Sequence, residues 1–311
     1  MKKIVIIVPY FGTLPENFEV FVKSCGRNEN IDFLFISDND LQIDYENIRF
    51  WKMTFQEFRS LIQQSFDFPI VLESPYKLCD YKPTYGKALQ DQIKEYDFWG
   101  YCDVDLIFGR IDHFVTEDIL DQFDQIYHYG HFTLYRNNEL NNARFMSDKG
   151  LSYKKVFTSN RIYFFDEKIM PEKFDLLKLP RYEAKDFIDI DPWKFRMIDV
   201  CEEDATNYKA KTTLFEWENG HLFKCVYHAE TKSIIKTEYL YIHFQKRKMT
   251  DHTQGTNHFL ITNKGLVPSH GDVQAAHFSE LDTNHVFEDI KKRFKKHQFI
   301  LNRRIKRYIL K

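Results

Sequence analysis

The sequence predicts an α/β protein: a mixed, mainly parallel central sheet with helices on both faces, followed by a basic amphipathic helical tail. Three observations carry that expectation. Short apolar runs alternate with longer, helically spaced segments through the first half, the pattern of βαβ units. A composition of 43% hydrophobic and 29% charged residues, with only 11 Gly and 9 Pro among 311, is that of a folded chain without long linkers. The charge is uneven: ten of the 44 Lys and Arg and none of the 46 Asp and Glu lie in residues 291–311, which leaves residues 1–290 at −12.

The elements follow in order. Lys3 to Val8 is the first strand, and Phe18, Phe21 and Val22 recur at helical spacing after Pro15-Glu16. Ile31 to Ile36 is a second strand that ends in Ser37-Asp38-Asn39-Asp40, and Ile48 to Met53 a third. Phe55, Phe58, Leu61 and Ile62 mark an amphipathic helix, and Tyr85 to Tyr96 another. An apolar strand from Phe98 then runs out at Asp103-Val104-Asp105. Further on, Tyr127 to Tyr135, Arg161 to Phe165 and Ile234 to Phe244 read as single strands. Leu214 to Trp217 and Leu222 to Tyr227 flank a hairpin turn at Glu218-Asn219-Gly220, and a last hairpin turns at Asn263-Lys264-Gly265. From Phe287, apolar residues at Ile290, Phe294, Leu301, Ile305 and Tyr308 alternate with Lys and Arg, as in a basic amphipathic helix. The expected organisation is one main domain over residues 1–283, with halves at 1–110 and 111–283, and a tail over 284–311.

Several function classes are disfavoured. Five cysteines with no Cys-x-x-Cys pair form neither a disulfide framework nor a zinc pattern, and point to a reducing compartment. The apolar run after Met1-Lys2-Lys3 stops at Pro9, too short for a secretory leader, and no segment approaches the roughly 20 apolar residues of a membrane span. The reading is cytoplasmic, with a peripheral place at the inner face of the cell membrane if the 287–311 tail meets anionic lipid; the other reading of the tail is a helix docked on the acidic body. That acidic body argues against nucleic acid as a partner.

Asp103 and Asp105 carry the chemistry. In an open parallel sheet, ligands bind where strands end, and two hard oxygen donors one residue apart suit Mg²⁺ or Mn²⁺. Asp80 and Lys82 precede Pro83, and a lysine there is placed to meet phosphate or sugar hydroxyls, or else caps and solvates the following helix. An Asp-x-Asp after an apolar strand also occurs in phosphohydrolases of the haloacid-dehalogenase type, but these want it near the first strand, and here it comes a hundred residues in.

Four stretches together carry a resemblance: Ile7-Val8-Pro9-Tyr10-Phe11-Gly12; Asp80-Tyr81-Lys82-Pro83-Thr84-Tyr85-Gly86; Phe98-Trp99-Gly100-Tyr101-Cys102-Asp103-Val104-Asp105 with Phe108-Gly109; and Gly130-His131-Phe132-Thr133-Leu134-Tyr135-Arg136-Asn137. The chain resembles the GT-A (Rossmann-like) glycosyltransferases, especially a group encoded in bacterial capsule and polysaccharide gene clusters. The resemblance implies transfer of a hexosyl unit from a nucleoside-diphosphate sugar, UDP-linked, to a hydroxyl of a surface polysaccharide or its lipid-linked precursor. It further implies that Asp105 is the principal metal ligand, that Asp103 meets metal or ribose, and that His243 is the third ligand. Pro9, Tyr10, Phe11 and Asp38 would cradle the base and ribose, and Lys246 the diphosphate. His131, Arg136 and Asn137 would line the acceptor cleft. Asp166 and Glu167 are the first choice for a general base, Glu202-Glu203-Asp204 the second, and a retaining enzyme needs none. The competing reading from another class is a non-catalytic glycan-binding protein on a transferase fold.

Overall fold

The computed structural model describes residues 2–201, 213–279, 281 and 286–309. In chain order its strands are β1 (Ile4–Tyr10), β2 (Asp32–Ser37), β3 (Ile48–Lys52), β4 (Phe98–Cys102), β5 (Leu106–Phe108), β6 (Gln125–Tyr129), β7 (Phe132–Arg136), β8 (Arg181–Tyr182), β9 (Phe187–Asp189), β10 (Thr213–Glu218), β11 (His221–His228), β12 (Ser233–Glu238), β13 (Tyr241–His243), β14 (His258–Thr262) and β15 (Gly265–Pro268). The chain forms two compact units: Met1–Val104 with Ile111–Ala184, and Asp105–Arg110 with Lys185–Lys311. This division differs from halves meeting at 110/111, because the short strand β5 pairs inside the second unit.

The first unit is built on a seven-stranded sheet in the order β3-β2-β1-β4-β7-β6-β8. β3, β2, β1 and β4 run parallel, β7 runs against both β4 and β6, and β6 and β8 are parallel. The sheet is therefore mainly parallel, as the fully apolar runs of β1 and β2 require of strands covered on both faces. Helices Phe18–Gly26 and Phe55–Gln63 link its strands. The second of these starts at Thr54, whose hydroxyl accepts from the Glu57 N–H while the Glu57 carboxylate accepts from the Thr54 N–H. The strand order reverses between β1 and β4, so the loops after Tyr10, Ser37 and Cys102 open on one crevice.

Aromatic side chains fill this core. Trp99 is enclosed and its indole N–H donates to Asn142 Oδ1 at 2.7 Å. The 85–88 turn sits directly over that ring: a Cβ at Gly86 would lie 2.3 Å from the indole, so only glycine fits there.

The second unit holds a three-stranded sheet, β5-β13-β9, and a five-stranded antiparallel sheet, β12-β11-β10-β14-β15. The two expected hairpins are present; Asn219 (φ 50°) and Gly220 (φ 95°) adopt the left-handed pair that a tight β10–β11 turn needs. The helix Val286–Ile309 follows.

Four expected elements differ. The run 127–135 is a hairpin, β6–β7, turning at Gly130-His131 rather than one strand. The run 234–244 is split between β12 and β13, which belong to different sheets. The helix expected over 85–96 is two short turns, Tyr85–Ala88 and Gln90–Ile93, broken where Leu89 leaves helical geometry (φ −113°, ψ 20°). Arg161 to Phe165 is not a strand; Phe164 is left-handed (φ 56°) and opens a π-helical turn, Phe165–Ile169.

Candidate functional site

The crevice of the first unit is lined at one end by Gly12, Thr13, Leu14, Asp38 and Asn39, which surround an open cleft of about 610 Å³. The Gly12 N–H donates to Asp38 Oδ1 at 3.2 Å, and the Asn39 amide donates to the Gly12 carbonyl at 2.8 Å, so the ends of β1 and β2 are tied together. Pro9 and Tyr10 are half-buried beside it, and the Tyr10 hydroxyl donates to the Thr13 carbonyl. Phe11 turns the other way: its ring packs on Phe55 and Phe58 at centroid distances of 5.5 and 5.7 Å, so it belongs to the core and offers no face for stacking a base.

Deeper in the same unit, Lys82 Nζ donates to Asp103 Oδ1 at 2.5 Å and to the Gly130 carbonyl at 2.7 Å, and lies 3.4 Å from Asp166 Oδ2. Both ends of the hairpin pairing explain the meeting: β7 starts opposite the end of β4, and the Asp103 N–H donates to the His131 carbonyl. Burial works against a charged Lys82, but Asp103 and Asp166 outweigh it and hold the ammonium well above its usual range. Burial pushes the Asp166 carboxyl up, to about 7; Lys82 opposes this and Asp103 adds repulsion. Glycine at 130 is required by this contact, since a Cβ there would lie 2.9 Å from Asp166 Oδ2.

Asp166 is delivered by a buried ion pair. Asp80 is fully enclosed, and its carboxylate accepts from the N–H groups of Tyr163 and Phe165, on either side of left-handed Phe164. Lys77 Nζ sits 2.7 Å from Asp80 Oδ2 and donates to the Val156 and Arg161 carbonyls. Asp80 is thus committed to backbone and does not present itself to a cofactor; it fixes the turn that carries Asp166. Glu167, next in the π-helical turn, is exposed.

In the second unit, Asp105, His243 and Asp189 form a row. His243 Nε2 lies 3.6 Å from Asp105 Oδ1, and its Nδ1 is held by Asp189 Oδ1 at 2.8 Å. Strand register puts them there, because His243 pairs with Leu106 on one side and with Asp189 on the other. Asp105 Oδ2 also accepts from the Lys246 N–H at 2.6 Å, at a turn where Gln245 and Lys246 are both left-handed. Burial alone would push the His243 imidazolium down, yet Asp105 and Asp189 raise it to about 10. Burial alone would raise Asp105, yet His243 and the Lys246 N–H hold it near 2. With Nδ1 occupied by a carboxylate, Nε2 is the nitrogen left facing Asp105, the arrangement that orients a metal-ligating histidine. The donor set therefore fits a divalent cation.

The structure also separates residues that sequence had grouped. Arg136 pairs with Phe98, at the start of β4, whereas Asp103 follows its end, so Arg136 and Asn137 lie at the opposite end of these strands from the crevice. Arg136 binds Asp124 and the carbonyls of Leu120, Asp121 and Phe123; the Asn137 amide donates to the Ile93 and Tyr96 carbonyls. Both lock loops through these bonds. His131 does sit at the crevice edge, stacked on Tyr129 at 5.4 Å. Arg247, the residue after Lys246, is buried and donates to the carbonyls of Lys194, Phe195 and Arg196. Glu202-Glu203-Asp204 lies outside the described residues. Asp189, Lys77 and Gly130 are the site residues that sequence reasoning missed; for Asp189 the only signal is an acid interrupting the apolar run Phe187 to Ile190.

Among solved structures the chain is similar to a glycosyltransferase involved in glycosylation of the major capsid protein of PBCV-1, at 9% identity and a TM-score of 0.39, over 79% of this chain and 96% of that one. It is also similar to the galactosyltransferase LgtC solved with donor and acceptor sugar analogues, at 11% identity and a TM-score of 0.34, over 60% of this chain and 75% of that one. No curated protein matches it. A family of unknown function, DUF6625, matches residues 6–270, most of the chain, and this protein belongs to that family.

Proposed function

We propose that this protein is a metal-dependent glycosyltransferase that moves a hexosyl unit from a nucleoside-diphosphate sugar, UDP-linked, to a hydroxyl of a bacterial surface polysaccharide or its lipid-linked precursor. The observation that carries the reading is the Asp105–His243–Asp189 row, with an imidazole nitrogen and a carboxylate oxygen facing each other at 3.6 Å and the imidazole oriented from behind. Asp105 and His243 would hold Mn²⁺ or Mg²⁺. A divalent ion there supplies electrostatic stabilisation of the departing diphosphate.

The other candidate residues have distinct tasks. The Gly12–Asp38–Asn39 cleft, beside Pro9 and Tyr10, takes the nucleoside. Lys82 holds Asp103 in place, and Lys246 stands beside Asp105 to meet phosphate. Asp166, with its carboxyl near 7, holds or accepts a proton at the working pH. In an inverting reaction the acceptor hydroxyl oxygen bonds to the anomeric carbon, the bond to the diphosphate oxygen breaks, and Asp166 takes the hydroxyl proton. Calorimetric titration with UDP, with and without Mn²⁺, tests the reading. Metal-dependent binding that Asp105→Asn abolishes supports it, and absence of UDP binding under every metal condition refutes the UDP-linked donor.

A further inference from the structure

The helix Val286–Ile309 carries a row of large apolar side chains that its own unit does not cover. Phe287, Ile290, Phe294 and Leu301 are 81%, 54%, 69% and 57% exposed. Spacings of 3, 4 and 7 place them on one face of an α-helix. The helix is attached elsewhere. The Phe195 N–H donates to Asp289 Oδ1 at 3.0 Å, Lys292 Nζ donates to the Pro192 carbonyl at 3.3 Å, and the Phe299 ring lies 5.4 Å from Trp193. At ~100° per residue, positions 289, 292 and 299 centre roughly opposite the apolar row. A helix on a soluble body ordinarily turns its apolar stripe inward; this one is held by its other side and turns the stripe out.

Charge selects the occupant. Lys291, Arg293 and Lys295 are exposed on either side of the row, and after Asp289 the helix has no acidic residue. A second copy of the same helix would bring like charges against these cations, whereas anionic lipid offers an apolar layer bordered by phosphates. The helix is not a span, since no described helix is long and apolar enough to cross a membrane. We propose that this helix lays the Phe287–Leu301 row into the interfacial layer of an anionic bilayer, with the flanking lysines and arginines at the headgroup phosphates. The inference goes beyond glycosyl transfer and stands or falls without it.

The test is co-sedimentation of the full chain with phosphatidylcholine vesicles, with and without phosphatidylglycerol. The anionic vesicles should bind at least roughly tenfold more tightly, with the preference fading in high salt. Phe287→Ser with Phe294→Ser should lose that binding by a similar factor, while circular dichroism and thermal unfolding match the parent, because both positions are exposed. Lys291→Glu with Lys295→Glu keeps the apolar row and should lose the preference for anionic lipid. Equal binding to both vesicle types, or full binding by the Phe double variant, overturns the proposal. So does a dimer that the Phe double variant dissolves in a protein that ignores vesicles, since that assigns the row to a second copy.

Discussion

In each unit a basic side chain of the candidate site stands between two carboxylates, and the two differ in what the base can release. Lys82 stands between Asp103 and Asp166 and is locked in its charged form by both. His243 stands between Asp105 and Asp189 and is raised only to about 10. An imidazolium in that range gives up its proton to a competing cation, whereas an ammonium held so far up does not. The lysine cluster is a fixed counter-charge that sets a neighbour's proton; the histidine cluster can trade a proton for a metal.

The largest effect that sharpens this contrast is loss of the histidine row. Asp105→Asn or His243→Ala should reduce metal-dependent UDP binding at least roughly 100-fold, as expected when a ligand is removed from a metal site, while Lys82→Met should leave metal affinity far less affected. Calorimetry on the three variants checks this. Next is Asp80→Asn, which leaves Lys77 buried without its counter-charge and should cost about 3–5 kcal/mol of stability in denaturant unfolding. Third, Asp166 has a folded-state pKa above its unfolded value. Protonated carboxyl is favoured by folding, so the contribution of Asp166 to stability is fully present below about 4 and is lost as pH rises through about 7. Asp166→Asn should therefore stabilise the protein by a few kcal/mol at pH 8 and be nearly neutral at pH 4, seen as a difference in Tm shift. Fourth, the His243 imidazolium must lose its proton to bind metal. Affinity for Mn²⁺ should rise about tenfold per pH unit below about 10, with close to one proton released per ion, read by titration in buffers of different ionisation enthalpy. The smallest effect is expected of Arg136→Lys: because Arg136 locks the 120–124 loop, acceptor KM should change less than about twofold while stability falls by about 1 kcal/mol.

The first half of the fold was legible because parallel strands buried on both faces appear as unbroken apolar runs, and β1 to β4 lie within a few residues of their expected places. Where chain direction changes without glycine-rich or proline punctuation, the sequence misleads. Tyr239-Leu240 steps from one sheet to another inside an apolar stretch. Gly130-His131 reverses the chain amid aromatics, and that reversal is why Arg136 and Asn137 end at the far end of the strands although they follow the crevice in sequence. Phe164 was read as strand because the groups that bend it, Asp80 and Lys77, lie about eighty positions away. The acidic pair stands out by residue type and spacing, whereas the late histidine is singled out only through the family resemblance. Asp189 was not, because its role depends on the register between β9 and β13.

The turn at Phe164 also sets what substitutions this stretch tolerates. The bonds from Asp80 go to the amides on either side of it, not to its side chain, so the bend is written into positions 77 and 80 rather than into position 164. Glycine, asparagine or aspartate at 164 would accept the left-handed backbone at least as readily as phenylalanine. Sequence drift should therefore be wide at the bend itself and narrow at the distant pair that imposes it, an inversion of the usual rule that a strained position declares itself by its own residue.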